Sequence, residues 1–247
     1  MKILAIESSS LVASAAIVND DILVAEYTVN HKVTHSQTLL PMIDEILTMT
    51  QTDKRSIDAI AVSGGPGSYT GLRIGSATAK GLGMALDIPL IHVPTLDAMA
   101  YNAYGYSGLV CPIMDARRSQ VYTGIYEFSD GKFNILLENS AITFDELMEK
   151  LDVLNTFGKK VMFIGDGIPV FKDRIDEHFK GIGYELAPAS MNRQRAASVA
   201  VLGGIYYNEG KTEAASEHLP DYLRLSQAER EPVSYTHLRA HETGRNL

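Results

Sequence analysis

Two histidine pairs with four-residue spacing, His31/His35 and His237/His241, carry the first chemical suggestion in this sequence. On a helix that spacing sets both imidazoles on one face, where they can hold a metal. The first pair lies in the polar stretch Asn30-His31-Lys32-Val33-Thr34, which reads as a loop, where that geometry fails. No glutamate stands between its histidines, as a zinc hydrolase would require. A solvated pair is the preferred reading. A second suggestion is the loop Ser63-Gly64-Gly65-Pro66-Gly67-Ser68-Tyr69-Thr70, after an apolar run and before a helical one. Its N–H groups and the helix N-terminus can receive a phosphate. It has neither the Gly-Lys-Ser/Thr of a P-loop nor dinucleotide-fingerprint spacing, so phosphate binding and a structural tight turn both stay open. Glu7-Ser8-Ser9-Ser10 offers a carboxylate and hydroxyls at a strand end, and Asp115-Ala116-Arg117-Arg118 offers guanidinium forks or a self-satisfied charged turn. His92 and Met99 lie in apolar surroundings and read as core or helix-face residues.

These residues need elements to position them. Runs 3–7, 12–18 and 22–29 read as a meander of three strands. A helix follows with Leu39, Ile43, Ile46 and Leu47 at helical spacing. Leu40, Met42 and Met49 widen its apolar arc beyond what one buried face needs. Pro41 implies a start near Thr38 or a bend. Strand 57–62 precedes the glycine loop, and a second helix runs from about Gly71 to Leu86. In it Gly71, Gly75, Ala79 and Gly83 form a smooth row, although each interior glycine costs about 1 kcal/mol relative to alanine. Close approach of another backbone, from the sheet or from a partner helix, would offset that cost. Strand 90–93 and a helix from about Leu96 complete the first half. The second half repeats the order: strands near 109–114, 120–128 and 133–137, a helix with Thr143 and Glu146 as capping box, strand 161–164, a helix near 170–179, strand 184–187 and a helix over 195–208. An α/β protein of two related subdomains is expected, 1–103 and 104–231, with the last segment free to return to the first.

Composition bounds the function. The formal charge is −8, and Arg117-Arg118 and Lys159-Lys160 are isolated basic pairs. Unaided nucleic-acid binding, which rests on phosphate neutralisation, is therefore not expected. No run approaches the roughly 20 apolar residues of a membrane span. The single cysteine, Cys111, sits in an apolar stretch and fits a buried position in a reducing compartment, so a cytoplasmic location is expected.

Together, 3–9, 35–43, 63–75, 115–122, 165–167 and Tyr222-Leu223-Arg224 resemble the TsaB (YeaZ-like) family, filed among glycoprotease-like proteins, over about residues 1–231. Gly65-Pro66-Gly67-Ser68-Tyr69-Thr70-Gly71-Leu72-Arg73-Ile74-Gly75 is the most specific stretch. The resemblance implies an actin-like, ribonuclease-H-type fold and a part in placing threonylcarbamoyl on the adenosine beside the tRNA anticodon. It implies that a paralogue, TsaD, does the transfer, with TsaE as an ATPase partner and TsaC supplying the adenylate. In TsaD two histidines hold a metal where this sequence has Thr95 and Met99. A hydroxyl and a thioether replace imidazoles poorly, so no catalytic residue, metal or cofactor is expected, and nucleotide is expected at most at the junction with TsaD.

The resemblance also implies pairing with TsaD through the first two helices. The expected interface is His35, Ser36, Leu39, Leu40, Met42, Ile43, Ile46, Tyr69, Leu72, Arg73, Gly75, Ser76, Ala79, Lys80 and Gly83, used for a homodimer when the chain is alone. Charged residues at Leu39 and Ile43 are expected to abolish pairing without unfolding the chain. A vestigial phosphate site is expected at Glu7, Ser8, Ser9, Ser10, Gly64, Gly65 and Gly67. TsaE is a further partner, and tRNA is met only through the complex. Rival readings are a metallopeptidase or an ATP-dependent phosphotransferase of the same superfamily. Residues 232–247 do not resemble a family ending and read as a non-native tail.

Overall fold

A computed structural model describes residues 1–32 and 34–223; Arg224, the His237/His241 pair and the suspected tail lie outside the described residues. The first half contributes β1 (Lys2–Glu7), β2 (Val12–Asn19), β3 (Ile22–Asn30), α1 (His35–Met49), β4 (Ala59–Gly65), α2 (Tyr69–Leu86), β5 (Leu90–Pro94) and α3 (Thr95–Tyr101). The second contributes β6 (Leu109–Asp115), β7 (Gln120–Ser129), β8 (Lys132–Thr143), α4 (Phe144–Leu154), β9 (Val161–Ile164), α5 (Ile168–His178), β10 (Glu185–Leu186) and α6 (Ala196–Asn208).

The two sheets share one topology. Strand order is β3-β2-β1-β4-β5 in the first and, read from the same edge, β8-β7-β6-β9-β10 in the second. In each, an antiparallel meander is extended by two parallel strands. The outer face of the first sheet packs on α1 and α2, and that of the second on α4 and α5. Between the sheets, α6 covers the first and α3 the second. These helix–sheet–helix–sheet–helix layers are the actin-like arrangement. The strand ends after β1, β4, β6 and β9 consequently meet at one cleft, as open α/β sheets require of their binding edges.

Several boundaries differ from the sequence pattern for identifiable reasons. α1 begins at His35, six residues before Pro41; Gln37, whose carbonyl the proline cannot satisfy, and Pro41 are both exposed, so water can serve that oxygen. β4 runs on through Ser63 to Gly65, pairing with Val93 and Pro94 across a register shift. β8 extends to Thr143, the N-cap of α4, where Glu146 N donates to Thr143 Oγ1 (3.2 Å) and Thr143 N donates to Glu146 Oε2 (2.7 Å).

Candidate functional site

The cleft between the halves has a volume of about 860 Å³ and is lined by Ser9 and Ser10, the start of α2, the β6–β7 loop and Asp166. Gly65, the last residue of β4, and Gly165, the residue after β9, both need positive φ, 125° and 123°. Arg117, Arg118 and Ser119 hold three successive non-glycine residues at positive φ, a costly run of a kind found at functional loops. Asp115 braces it: Arg117 N donates to Asp115 Oδ1 at 2.8 Å, and Arg117 Nη1 lies 3.2 Å from Asp115 Oδ2. Burial raises the Asp166 pKa, opposed by Arg193 and Arg117 and reinforced by Asp115.

The expected phosphate residues divide. Ser9, Ser10 and Gly67 line the cleft. Glu7 is fully buried, its Oε1 accepting from Ser9 N and Ser9 Oγ, both at 2.6 Å, and burial raises its pKa against those bonds. Ser8 Oγ donates to the Gly71 carbonyl at 2.9 Å. A Cβ on Gly64 would overlap the His92 ring, and one on Gly65 would overlap the Asp221 carbonyl oxygen. Gly64 therefore admits the His92 ring of β5, and Gly65 admits the chain's own segment at Asp221. At the α2 N-terminus, Ser68 N donates to the Ser9 carbonyl (2.6 Å) and Gly71 N to Ser68 Oγ (3.3 Å).

The expected interface divides as well, and most of it is corrected. His35, Leu39, Met42, Ile43, Ile46, Leu72, Gly75, Ser76, Ala79 and Gly83 are buried within the chain itself. The glycine row faces inward: a Cβ on Gly71 or Gly75 would overlap Ser8, and one on Gly83 would crowd Ala215 and Leu90. The close approach that offsets the glycine cost is thus to the chain's own β1 turn. His35 is not solvated, since its Nε2 lies 2.7 Å from the Ser10 carbonyl oxygen, whereas His31 is exposed. Tyr69, Arg73 and Lys80 hold the C-terminal segment: the Tyr69 and Tyr222 rings are 4.8 Å apart, Arg73 Nε donates to Tyr222 Oη (3.3 Å) and Lys80 Nζ to the His218 carbonyl (3.0 Å). Ser36, Leu40 and Arg73 remain exposed, as does an outward row on α2 that the pattern missed, Ala77, Gly81 and Ala85.

Thr95 and Met99 are fully buried at the start of α3, Thr95 Oγ1 lying 3.2 Å from Ser63 Oγ and Met99 packing among Leu96, Val110 and Met114. Nearby, Asp97 accepts from Tyr126 Oη (2.8 Å), Asn139 Nδ2 (2.7 Å) and Tyr206 Oη (3.3 Å), joining α3 to the second sheet and α6.

A family model described as TsaD, tRNA N6-adenosine threonylcarbamoyltransferase, matches residues 24–231. The tRNA threonylcarbamoyladenosine biosynthesis protein TsaB of Bacillus subtilis is 35% identical, covering 93% of this chain and 96% of that protein. The chain belongs to the TsaB family. The TsaB of Escherichia coli is 32% identical over 92% of this chain and 96% of its own length. A Pseudomonas aeruginosa protein described as similar to peptidase YeaZ superposes with a TM-score of 0.76 at 25% identity, over 90% of this chain and 99% of that one. Among the described residues of this TsaB-family chain no helix is long and apolar enough to cross a membrane. It departs from the sequence reading at His92 as well, which is not a simple core residue: it lies beside Asp221, His218 and Glu213. Only contacts between segments far apart in sequence reveal that cluster.

Proposed function

We propose that this chain serves tRNA threonylcarbamoyladenosine biosynthesis as a non-catalytic subunit that pairs with a TsaD-type transferase and raises its activity. The observation that carries the reading is the outward face of α1 and α2. Gly81 is exposed in the middle of α2, and nothing lies within 4 Å of the Cβ it lacks, so the folded chain gives no reason for its helix cost of about 1 kcal/mol. With Ala77 and Ala85 it forms a smooth ridge, and α1 adds Leu40 at 52% exposure. Small residues flanked by an apolar side chain suit close packing of a second helix pair, from TsaD or from another copy of this chain.

Lack of a catalytic role is supported by Thr95 and Met99, which are closed into the core where the transferase is expected to hold its metal. Nucleotide is not expected to bind the isolated chain with useful affinity. Two of the N–H groups at the α2 start already have acceptors, and Asp115, Asp166 and Asp221 line the same cleft. TsaE and tRNA would be met through the assembled complex. The test is reconstitution of the modification with TsaC, TsaD and TsaE, with and without this chain. Modification should depend on the chain, and an equal rate without it would refute the proposal.

A further inference from the structure

On the outer face of the first sheet three segments bring imidazoles and carboxylates together, next to the cleft edge that Asp221 lines. Ile91 and Val93 of β5 pack toward α6, whereas Leu90 belongs to the opposite core, so His92 also projects to the α2 side. An antiparallel bridge pairs Leu90 with Glu213, each N–H donating to the other's carbonyl at 3.0 Å. The chain then turns through residues 214–217 and delivers His218, whose side chain is 0% exposed and whose Nδ1 lies 2.6 Å from Glu213 Oε1. The His92 and His218 rings are 5.6 Å apart, and Asp221 Oδ2 is 3.3 Å from His92 Nε2. One ligand atom each from His92, Glu213 and His218 fall within 4.8 Å of one another.

Packing alone leaves two features without a cause. His218 Nε2 and His92 Nε2 are both buried with no hydrogen-bond partner, the approach of Asp221 notwithstanding. Buried ring nitrogens ordinarily have one. Gly64 moreover reserves the space that the His92 ring fills.

We infer that His92, His218 and Glu213 form a structural zinc site, with Asp221 placed to complete a tetrahedral set. Two imidazoles with carboxylate oxygens suit zinc, whose bonds of about 2.0–2.2 Å need ligand atoms closer than these by roughly 1 Å, within reach of small side-chain rotations. The site shares no residue with the Thr95/Met99 position and ties residues 213–221 to β5 above the glycine loop. It stands apart from the pairing proposed above.

The test uses the full chain stripped by chelator and titrated with zinc sulfate against a chromophoric competitor. One zinc per chain is expected, with affinity lowered about 100-fold or more by H92N or H218A, about 10–100-fold by E213Q, and unchanged by H31A. His218 is buried, so circular dichroism must show its variant folded; if H218A does not fold, H92N and E213Q decide between a site and none. Absence of tight zinc binding overturns the site. So does binding that survives H92N and E213Q, or that is lost only in a H237A/H241A variant.

Discussion

The Ser8 carbonyl oxygen occupies the position that a Cβ on Gly71 would need. The β1 turn can therefore seat directly on the first turn of α2, while Gly81, ten residues along the same helix, faces open space. The two glycines should respond oppositely to the same substitution. Gly71→Ala should lower stability by about 1–3 kcal/mol through overpacking, and Gly81→Ala should raise it by about 0.5–1 kcal/mol through helix propensity. Urea midpoints measure both, and equal shifts would contradict the inward and outward assignment.

Leu39 and Leu40 are adjacent in α1, but one is 1% exposed and the other 52%. Leu39→Glu should unfold the chain, because a buried unpaired carboxylate costs more than roughly 3 kcal/mol. Leu40→Glu should stay within about 0.5 kcal/mol of the parent and still weaken pairing with a TsaD-type partner at least tenfold. Thermal melts followed by pull-down separate the two effects. Undiminished pairing by folded Leu40→Glu would remove α1 from the interface.

Burial lifts the Glu7 pKa above its ordinary 4.5. The folded chain then keeps this proton over a pH window in which the unfolded chain has released it, so Glu7 makes stability fall as pH rises through that window. Stability of Glu7→Gln relative to the parent should accordingly improve as pH climbs from 4.5. Chemical denaturation across pH measures the gap, and a gap independent of pH would show that Glu7 titrates normally.

Cys111 is completely buried between Val110 and Pro112 in β6, and burial pushes its thiol pKa up to about 12. A thiol so placed presents almost no thiolate. Ellman's reagent should leave it unmodified in the native chain and react at once in denaturant. Rapid native labelling would place β6 at the surface.

Much of the architecture was legible because it depends on local rules. Alternating and continuous apolar runs marked the strands, Thr143 and Glu146 marked a helix start, and the repeated order of elements anticipated two similar sheets. The glycine loop was equally plain as a turn, since Gly65 needs a conformation that other residues rarely adopt. What these glycines serve was not legible. A row at four-residue spacing fits a partner helix as well as the chain's own backbone, and only the position of Ser8 against Gly71 and Gly75 decides between them. The apolar arc of α1 was ambiguous for the same reason: Leu39 and Leu40 are identical residues, and composition does not tell which one faces the sheet.

The sequence alone determined the periodicities, the turn chemistry and the absence of an imidazole pair at Thr95 and Met99, because each is written in neighbouring residues. Tertiary structure alone decided what meets what: α6 returning to the first sheet, Tyr222 seated on Tyr69, and His92 brought beside His218 across 126 residues of chain. Such meetings are set by sheet order and loop closure, which are properties of the whole chain that no local pattern records.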